Sequence, residues 1–216
     1  MTGRRYDHVV WDWNGTLLND TSFCVEIANR MLLSRHLPET TLEHYRAAFT
    51  FPASAVYEFL GFDMSRESAE ALGREFFLAY ESGRHRCSLH PGAEPLLDYI
   101  RSAGLGQSVL SAYAQHTLDT IVDSFGLRSV FSHLVGVSDI RATGKVDQGH
   151  HLRKLLPYSG ERILMIGDTL HDWEVAQAMG IESILISHGH QSRYRLEESG
   201  TRVVDRFEEI YPLVGP

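Results

Sequence analysis

The stretch WDWNGTLLND, residues 11–20, places Asp12 at the end of an apolar run and follows it with a Gly15-Thr16 turn. Far downstream, ILMIGDTLHD ends another apolar run on Asp168, with Asp172 shortly after it. Between them SVLSAY carries Ser111, with Ala112 beside it, and TGK carries Lys145. Carboxylates brought together from two strand ends make an oxygen-rich site. Such a site suits Mg²⁺, a hard cation that keeps its waters and bridges protein oxygens to a phosphate, whereas nitrogen or sulfur ligands would point to zinc. The Gly15-Thr16 turn offers backbone N–H groups to a phosphoryl oxygen, and Ser111 and Lys145 add a hydroxyl and a cation. A carboxylate placed there can attack phosphorus and form an aspartyl-phosphate, which is nucleophilic catalysis.

Short runs rich in Val, Ile and Leu must position these groups: 8–13, 108–113, 133–137, 163–168, 183–187 and 202–205. Continuous apolar runs of this kind suit strands covered on both faces. From Ser108 onward they alternate with helical patterns at 116–125, 147–156 and 170–179, the last closed by Gly180. That alternation predicts an α/β fold, a Rossmann-like parallel sheet with helices on both faces. Ligands of such sheets gather beyond the carboxyl ends of the strands, where Asp12, Ser111 and Asp168 fall.

The interval from Asp20 to Leu89 has no strand pattern and reads as an inserted all-helical cap, residues 19–89, with 1–18 and 90–216 forming the core. One helix is expected from an N-cap at Asp20 or Thr21, burying Phe23, Ile27 and Met31 and ending near His36. Another is expected from Ser65, burying Ala69, Leu72, Phe76 and Tyr80 and ending at Gly83. Short helices over 42–49 and 53–60 fill the middle, and 17–19 and 88–92 are the candidate hinges.

Composition bounds the partners. The chain has 216 residues, 43% hydrophobic and 22% charged, as an ordinary globular protein does. A formal charge of −8 argues against nucleic acid and anionic membrane, both of which recruit surplus Lys and Arg. Cys24 and Cys87 show neither a CxxC nor a zinc spacing and read as free thiols of a reducing compartment. With no signal-peptide core and no apolar run of membrane-spanning length, the expectation is a cytoplasmic protein, monomeric or homodimeric.

WDWNGTLL, VLSAY, TGK and IGDTLHDWEVAQAMG, in that order, resemble the four motifs of the haloacid dehalogenase superfamily, in its phosphoglycolate phosphatase-like branch with a helical cap. The resemblance implies Asp12 as nucleophile, Ser111 and Lys145 as phosphate ligands, and Mg²⁺ held by Asp12, Asp168 and the backbone oxygen of Asn14. It gives Asp172 either a direct or water-mediated place at the metal, or the task of positioning Lys145. The substrate it implies is a small phosphorylated metabolite.

In most phosphatases of this kind the position two after the nucleophile is a second aspartate, which protonates the leaving oxygen and later activates water. Here it is Asn14, and an amide can do neither at pH 7. Losing that role typically forfeits about 10²–10⁴-fold in rate. The expectation is therefore a phosphomonoesterase that is slow or uses a substitute group, and the alternative is a weakened phosphate-ester binding or regulatory protein. Asn14-Gly15 is also a deamidation-prone dipeptide, and conversion to Asp would restore the acid. A phosphonate-hydrolase mechanism needs a cap lysine, and the insert has none.

Other residues carry less. SHGHQ at 187–191 follows a strand at the same edge of the sheet and reads as a structural loop, and His150-His151 reads as surface. Trp11 and Trp13 read as core. Arg35, His36, Tyr45, Arg46 and Tyr57 are the insert's candidate substrate contacts.

Overall fold

The computed structural model describes residues 5–51, 54–137 and 145–215. Thr143 and Gly144 of TGK lie outside these, as does Ala53 at the start of the short helix expected over 53–60.

The elements follow in the order β1 (His8–Trp11), β2 (Leu18–Asn19), α1 (Thr21–Leu33), α2 (Leu42–Ala48), α3 (Ser54–Phe59), α4 (Ala69–Gly83), β3 (Ser88–Leu89), α5 (Ala93–Ser102) and β4 (Gly106–Ala114). They continue with α6 (Gln115–Ser124), β5 (His133–Val137), α7 (Val146–Leu155), β6 (Ile163–Gly167), α8 (Leu170–Met179), β7 (Glu182–Ile186), α9 (Arg193–Leu196), β8 (Arg202–Val204) and α10 (Tyr211–Val214). Among the described residues, six strands form one parallel sheet in the order β5-β4-β1-β6-β7-β8. The chain leaves β1 for β4 on one side and later returns to β6 on the other. The crevice at this switch of direction opens beyond the carboxyl ends of β1, β4 and β6.

Alternation along the strands divides the core into two layers. Val9 and Trp11 of β1 and Leu164 and Ile166 of β6 pack with α5, α6 and α10 through Leu96, Leu118 and Val214. Val10, Ile163 and Met165 face the opposite way, against Leu152 of α7 and Val175 of α8. Burial on both faces is why these strands are apolar throughout and not alternately polar.

Between β1 and α5 the chain builds a third apolar cluster, in which Phe23, Ile27, Met31, Tyr45, Tyr57, Leu72 and Tyr80 of the helical cap pack together. The two crossings between cap and sheet are more ordered than plain hinges, since β2 and β3 pair antiparallel, Leu18 with Leu89 and Asn19 with Ser88. The helix expected from Ser65 begins later, at Ala69. Ser68 supplies the cap by accepting from the Ala71 N–H at 3.2 Å, while Ser65 is drawn into a turn by the Asp63 carboxylate at 2.6 Å. The α1 helix ends at Leu33, a turn short of His36, which takes the left-handed conformation. No helix of the described residues is long and apolar enough to cross a membrane.

Candidate active site

Asp12 continues from β1, its N–H donating to the Ile166 carbonyl of β6 at 2.9 Å. This bond places Asp12 beside the end of the strand that leads into Asp168. Oxygens of Asp12, Asp168 and Asp172 lie within 4.8 Å of one another, and all three residues are buried. Lys145 reaches into the same space. Its ammonium donates to Asp12 Oδ1 and to the Leu110 carbonyl at 3.0 Å, and forms an ion pair with Asp172 Oδ1 at 2.6 Å.

Asp172 is the most constrained of the acids. As the third residue of α8 it closes a capping box with Thr169, its Oδ2 accepting from the Asp168 N–H, the Thr169 N–H and the Thr169 hydroxyl. Its other oxygen holds Lys145. Asp172 also belongs to the group of acids whose oxygens converge, so the geometry accommodates both roles that the resemblance left open. Asp168 accepts from the Thr16 hydroxyl at 2.8 Å and from the His190 N–H at 2.6 Å. Thr16 also reaches Asp12 Oδ2, at 3.3 Å, so one hydroxyl spans both candidate metal ligands.

Charge explains what this cluster can hold. Burial pushes the Asp12 carboxyl well above its usual range, Lys145 opposes that shift, and Asp172 and Asp168 add to it. Burial also carries Asp168 up to about 6, against the pull of His190 and with a push from Asp172. Asp172 goes the other way, because Lys145 and the cap bonds outweigh its burial. Burial alone would lower the Lys145 ammonium, yet Asp12 and Asp172 hold it above its usual value. Three acids around one ammonium crowd like charges in a dry site, which is why Asp12 and Asp168 resist ionisation, and a dication of hard, oxygen-seeking character would favour their charged forms. The donor set therefore fits Mg²⁺, with Asp12 and Asp168 as the acids best placed to hold it.

Gly15 contributes differently from the expected phosphate-binding N–H. That N–H is turned inward, to Asp20 Oδ1 at 2.9 Å and the Leu18 carbonyl at 3.0 Å, so it is already satisfied. What the glycine supplies is room. At φ 76° a Cβ would lie 2.3 Å from Asp168 Oδ2 and 2.5 Å from the His190 ring, and a Cβ on Gly189 would lie 2.1 Å from the same Asp168 oxygen. Ser111 is buried near the end of β4, where its oxygen accepts from the Tyr113 N–H at 3.2 Å; Ala112 follows it and is half-buried.

Asn14 points toward the cap. Its amide nitrogen donates to Asp20 Oδ2 and to the Tyr80 hydroxyl, each at 2.8 Å. Of the insert's candidate contacts, Tyr45 and Arg46 reach the core. The Tyr45 hydroxyl lies 3.3 Å from His190 Nδ1, and Arg46 donates to the His188 and Gly189 carbonyls. Arg35 is instead paired with Glu67 and Glu75 on the cap, and Tyr57 is buried in the cap's own core.

The sequence reads Asp20 as a candidate helix N-cap and His188 and His190 as part of a structural loop, and does not single out His90; in the structure these four surround the Gly15-Thr16 turn. His190 is buried, stacks on Phe49 at 4.7 Å and donates from Nε2 to Asp20 Oδ1 at 3.2 Å. The signal for it was present, because SHGHQ leaves a strand at the active-site edge. Its chemistry was invisible until the cap closed over it.

The family model for haloacid dehalogenase-like hydrolase matches residues 9–186. Tyrosine-protein kinase PtkA of Mycobacterium tuberculosis (strain H37Rv) is 30% identical over 209 residues, covering 95% of this chain and 70% of its own. Phosphoglycolate phosphatase 1 of Pseudomonas aeruginosa is 23% identical over 213 residues, covering 94% and 78%. The solved structure of the M. tuberculosis PtkA superposes with a TM-score of 0.81 at 26% identity, covering 99% of this chain and 100% of that one.

Proposed function

We propose, given that the chain belongs to the haloacid dehalogenase-like hydrolase family, that it is a Mg²⁺-dependent phosphatase of a small phosphorylated metabolite. The observation that carries this reading is the gathering of the Asp12, Asp168 and Asp172 oxygens within 4.8 Å around Lys145 at the mouth of the sheet. Asp12, Asp168 and the backbone oxygen of Asn14 would hold the metal, which when bound would neutralise the approaching phosphate. Asp12 attacks phosphorus, the ester P–O bond breaks with its electron pair on the leaving oxygen, which takes its proton from water in place of the missing acid, and the phosphoryl group rests on Asp12 as an acyl phosphate until water releases it. Lys145 holds Asp12 in place and, with Ser111, faces the phosphoryl oxygens. Asp172 keeps Lys145 charged and aimed. Residues 19–89 close as a cap over residues 1–18 and 90–216, excluding bulk water and favouring a small ester over a phosphoprotein.

A second reading is supported by Asn14. With an amide at the general acid/base position, the chain binds phosphate esters and turns them over slowly or not at all. The likeness to a protein named as a kinase also supports a role beyond hydrolysis.

Release of phosphate from an aryl phosphate, with Mg²⁺ and with chelator, tests both readings on the native chain and Asp12→Asn. Metal-dependent release lost in Asp12→Asn supports the phosphatase. Release that survives Asp12→Asn excludes the mechanism, and phosphate-plus-Mg²⁺ stabilisation without turnover favours the binder.

A further inference from the structure

We infer that Asp20 is a positioning residue that fixes position 14 as an amide, and that Asn14, Asp20 and Tyr80 form a clasp tying the catalytic turn to the cap. The inference deepens the proposed reading and rests on it only for the consequence in turnover; the clasp itself is a matter of hydrogen bonds.

Asp20 precedes α1 but makes no side-chain cap bond to it. Its carboxylate is turned back and buried, with the residue 1% exposed. Oδ1 accepts from the Gly15 N–H at 2.9 Å and His190 Nε2 at 3.2 Å, and Oδ2 accepts from Asn14 Nδ2 at 2.8 Å and the Tyr80 hydroxyl at 2.6 Å. Four donors fill a carboxylate's accepting capacity.

The directions of these bonds are determined. Asp20 only accepts, so Asn14 must present its NH₂ and Tyr80 its O–H. The second Asn14 proton then goes to the Tyr80 oxygen at 2.8 Å, which closes a triangle of three residues from the catalytic turn, the cap's first crossing and α4. An aspartate at position 14 would set a carboxylate oxygen against Asp20 Oδ2 at the distance now occupied by a hydrogen bond. With both groups ionised, two acceptors would then face each other with no proton between them, one of them fully buried. The missing acid at position 14 is thus matched by an acid at position 20, and neither can change alone without breaking the link to Tyr80.

The same packing opposes deamidation. The Gly15 nitrogen that would have to attack the Asn14 side chain is held by Asp20 and Leu18.

The reciprocal exchange is the decisive variant. In Asn14→Asp/Asp20→Asn the triangle reforms in reverse. The amide at 20 donates to the carboxylate at 14 and to Tyr80, Tyr80 donates to the carboxylate, and the other oxygen at 20 still receives Gly15 and His190. Hydrogen exchange of α4 and thermal unfolding, both without metal or phosphate ester, would compare native, Asn14→Asp, Asp20→Asn, the exchange variant and Tyr80→Phe. Each single change at 14 or 20 is expected to speed exchange around Tyr80 by about tenfold or more, and the double variant to recover most of it. Tyr80→Phe adds no charge and is expected to speed the same amides, so it reads the clasp even where a charged variant fails to fold. Additive losses in the double variant would overturn the inference, as would an Asn14→Asp protein whose α4 is as protected as native. Absence of phosphatase activity would sink the proposed function and leave this result standing.

Discussion

His90 and His188 stack face to face with ring centroids 3.7 Å apart, and each donates from Nε2 to a carbonyl of the turn that follows Asp12, Gly15 at 3.1 Å and Thr16 at 3.0 Å. One comes from the cap's return crossing and the other from the loop after β7, so the turn is gripped from both sides. The stack works only while both rings are neutral. Burial lowers His90 to about 3, helped by His188, and burial lowers His188 to about 4.

Stability should therefore fall with acid. Between about pH 6.5 and 4 the unfolded chain takes up protons at these positions that the folded chain refuses, so each ring withdraws stability as pH falls, with a slope on the order of 1 kcal/mol per pH unit. Above pH 6.5 neither contributes. Urea titrations of native and His90→Gln from pH 4 to 8 should give curves that converge in shape above pH 6.5, with the native slope steeper below it. Equal slopes throughout would show that the rings titrate normally.

Lys145→Met should destabilise the protein by about 3–5 kcal/mol, because it leaves Asp12 and Asp172 buried without their cation. The loss should shrink on adding Mg²⁺, which compensates the same charge. Denaturant midpoints with and without the ion check both parts.

Mg²⁺ at about 100 times its dissociation constant should stabilise the native chain by about 2.7 kcal/mol. Asp168→Asn should abolish that gain at a cost of about 1–3 kcal/mol in the metal-free protein, since the Thr16 hydroxyl and the His190 N–H donate to different Asp168 oxygens and the amide can accept only one of them. A metal-induced shift in melting temperature that persists in Asp168→Asn would place the ion elsewhere.

Gly15→Ala should cost about 1–3 kcal/mol through its positive φ. It should also displace Asp168, whose oxygen lies 2.3 Å from the new Cβ. Weaker Mg²⁺ binding by calorimetry is the specific readout; a variant with native affinity would mean that the turn relaxes away from Asp168.

The sequence determined the sheet, because a strand buried on both faces needs an unbroken apolar run and a parallel neighbour needs a helical crossover. Hence β5 and α8 occupy the residues that their patterns mark. It also marked Asp12, Asp168, Asp172 and Lys145, since groups at strand ends and after glycine turns are local features of the chain. Start points such as Ser68 were less legible, because Ser65 and Ser68 are equally good caps and two hydrogen bonds from Ser65 to Asp63 decide between them.

What only the tertiary structure decided is the set of partners. Nothing in the order of residues says that Asp20 forgoes its helix for Asn14, Tyr80 and His190, or that the Gly15 N–H turns inward. Those choices depend on Tyr80 and His190, which arrive from far along the chain, and on burial without water, which obliges every donor to find an acceptor.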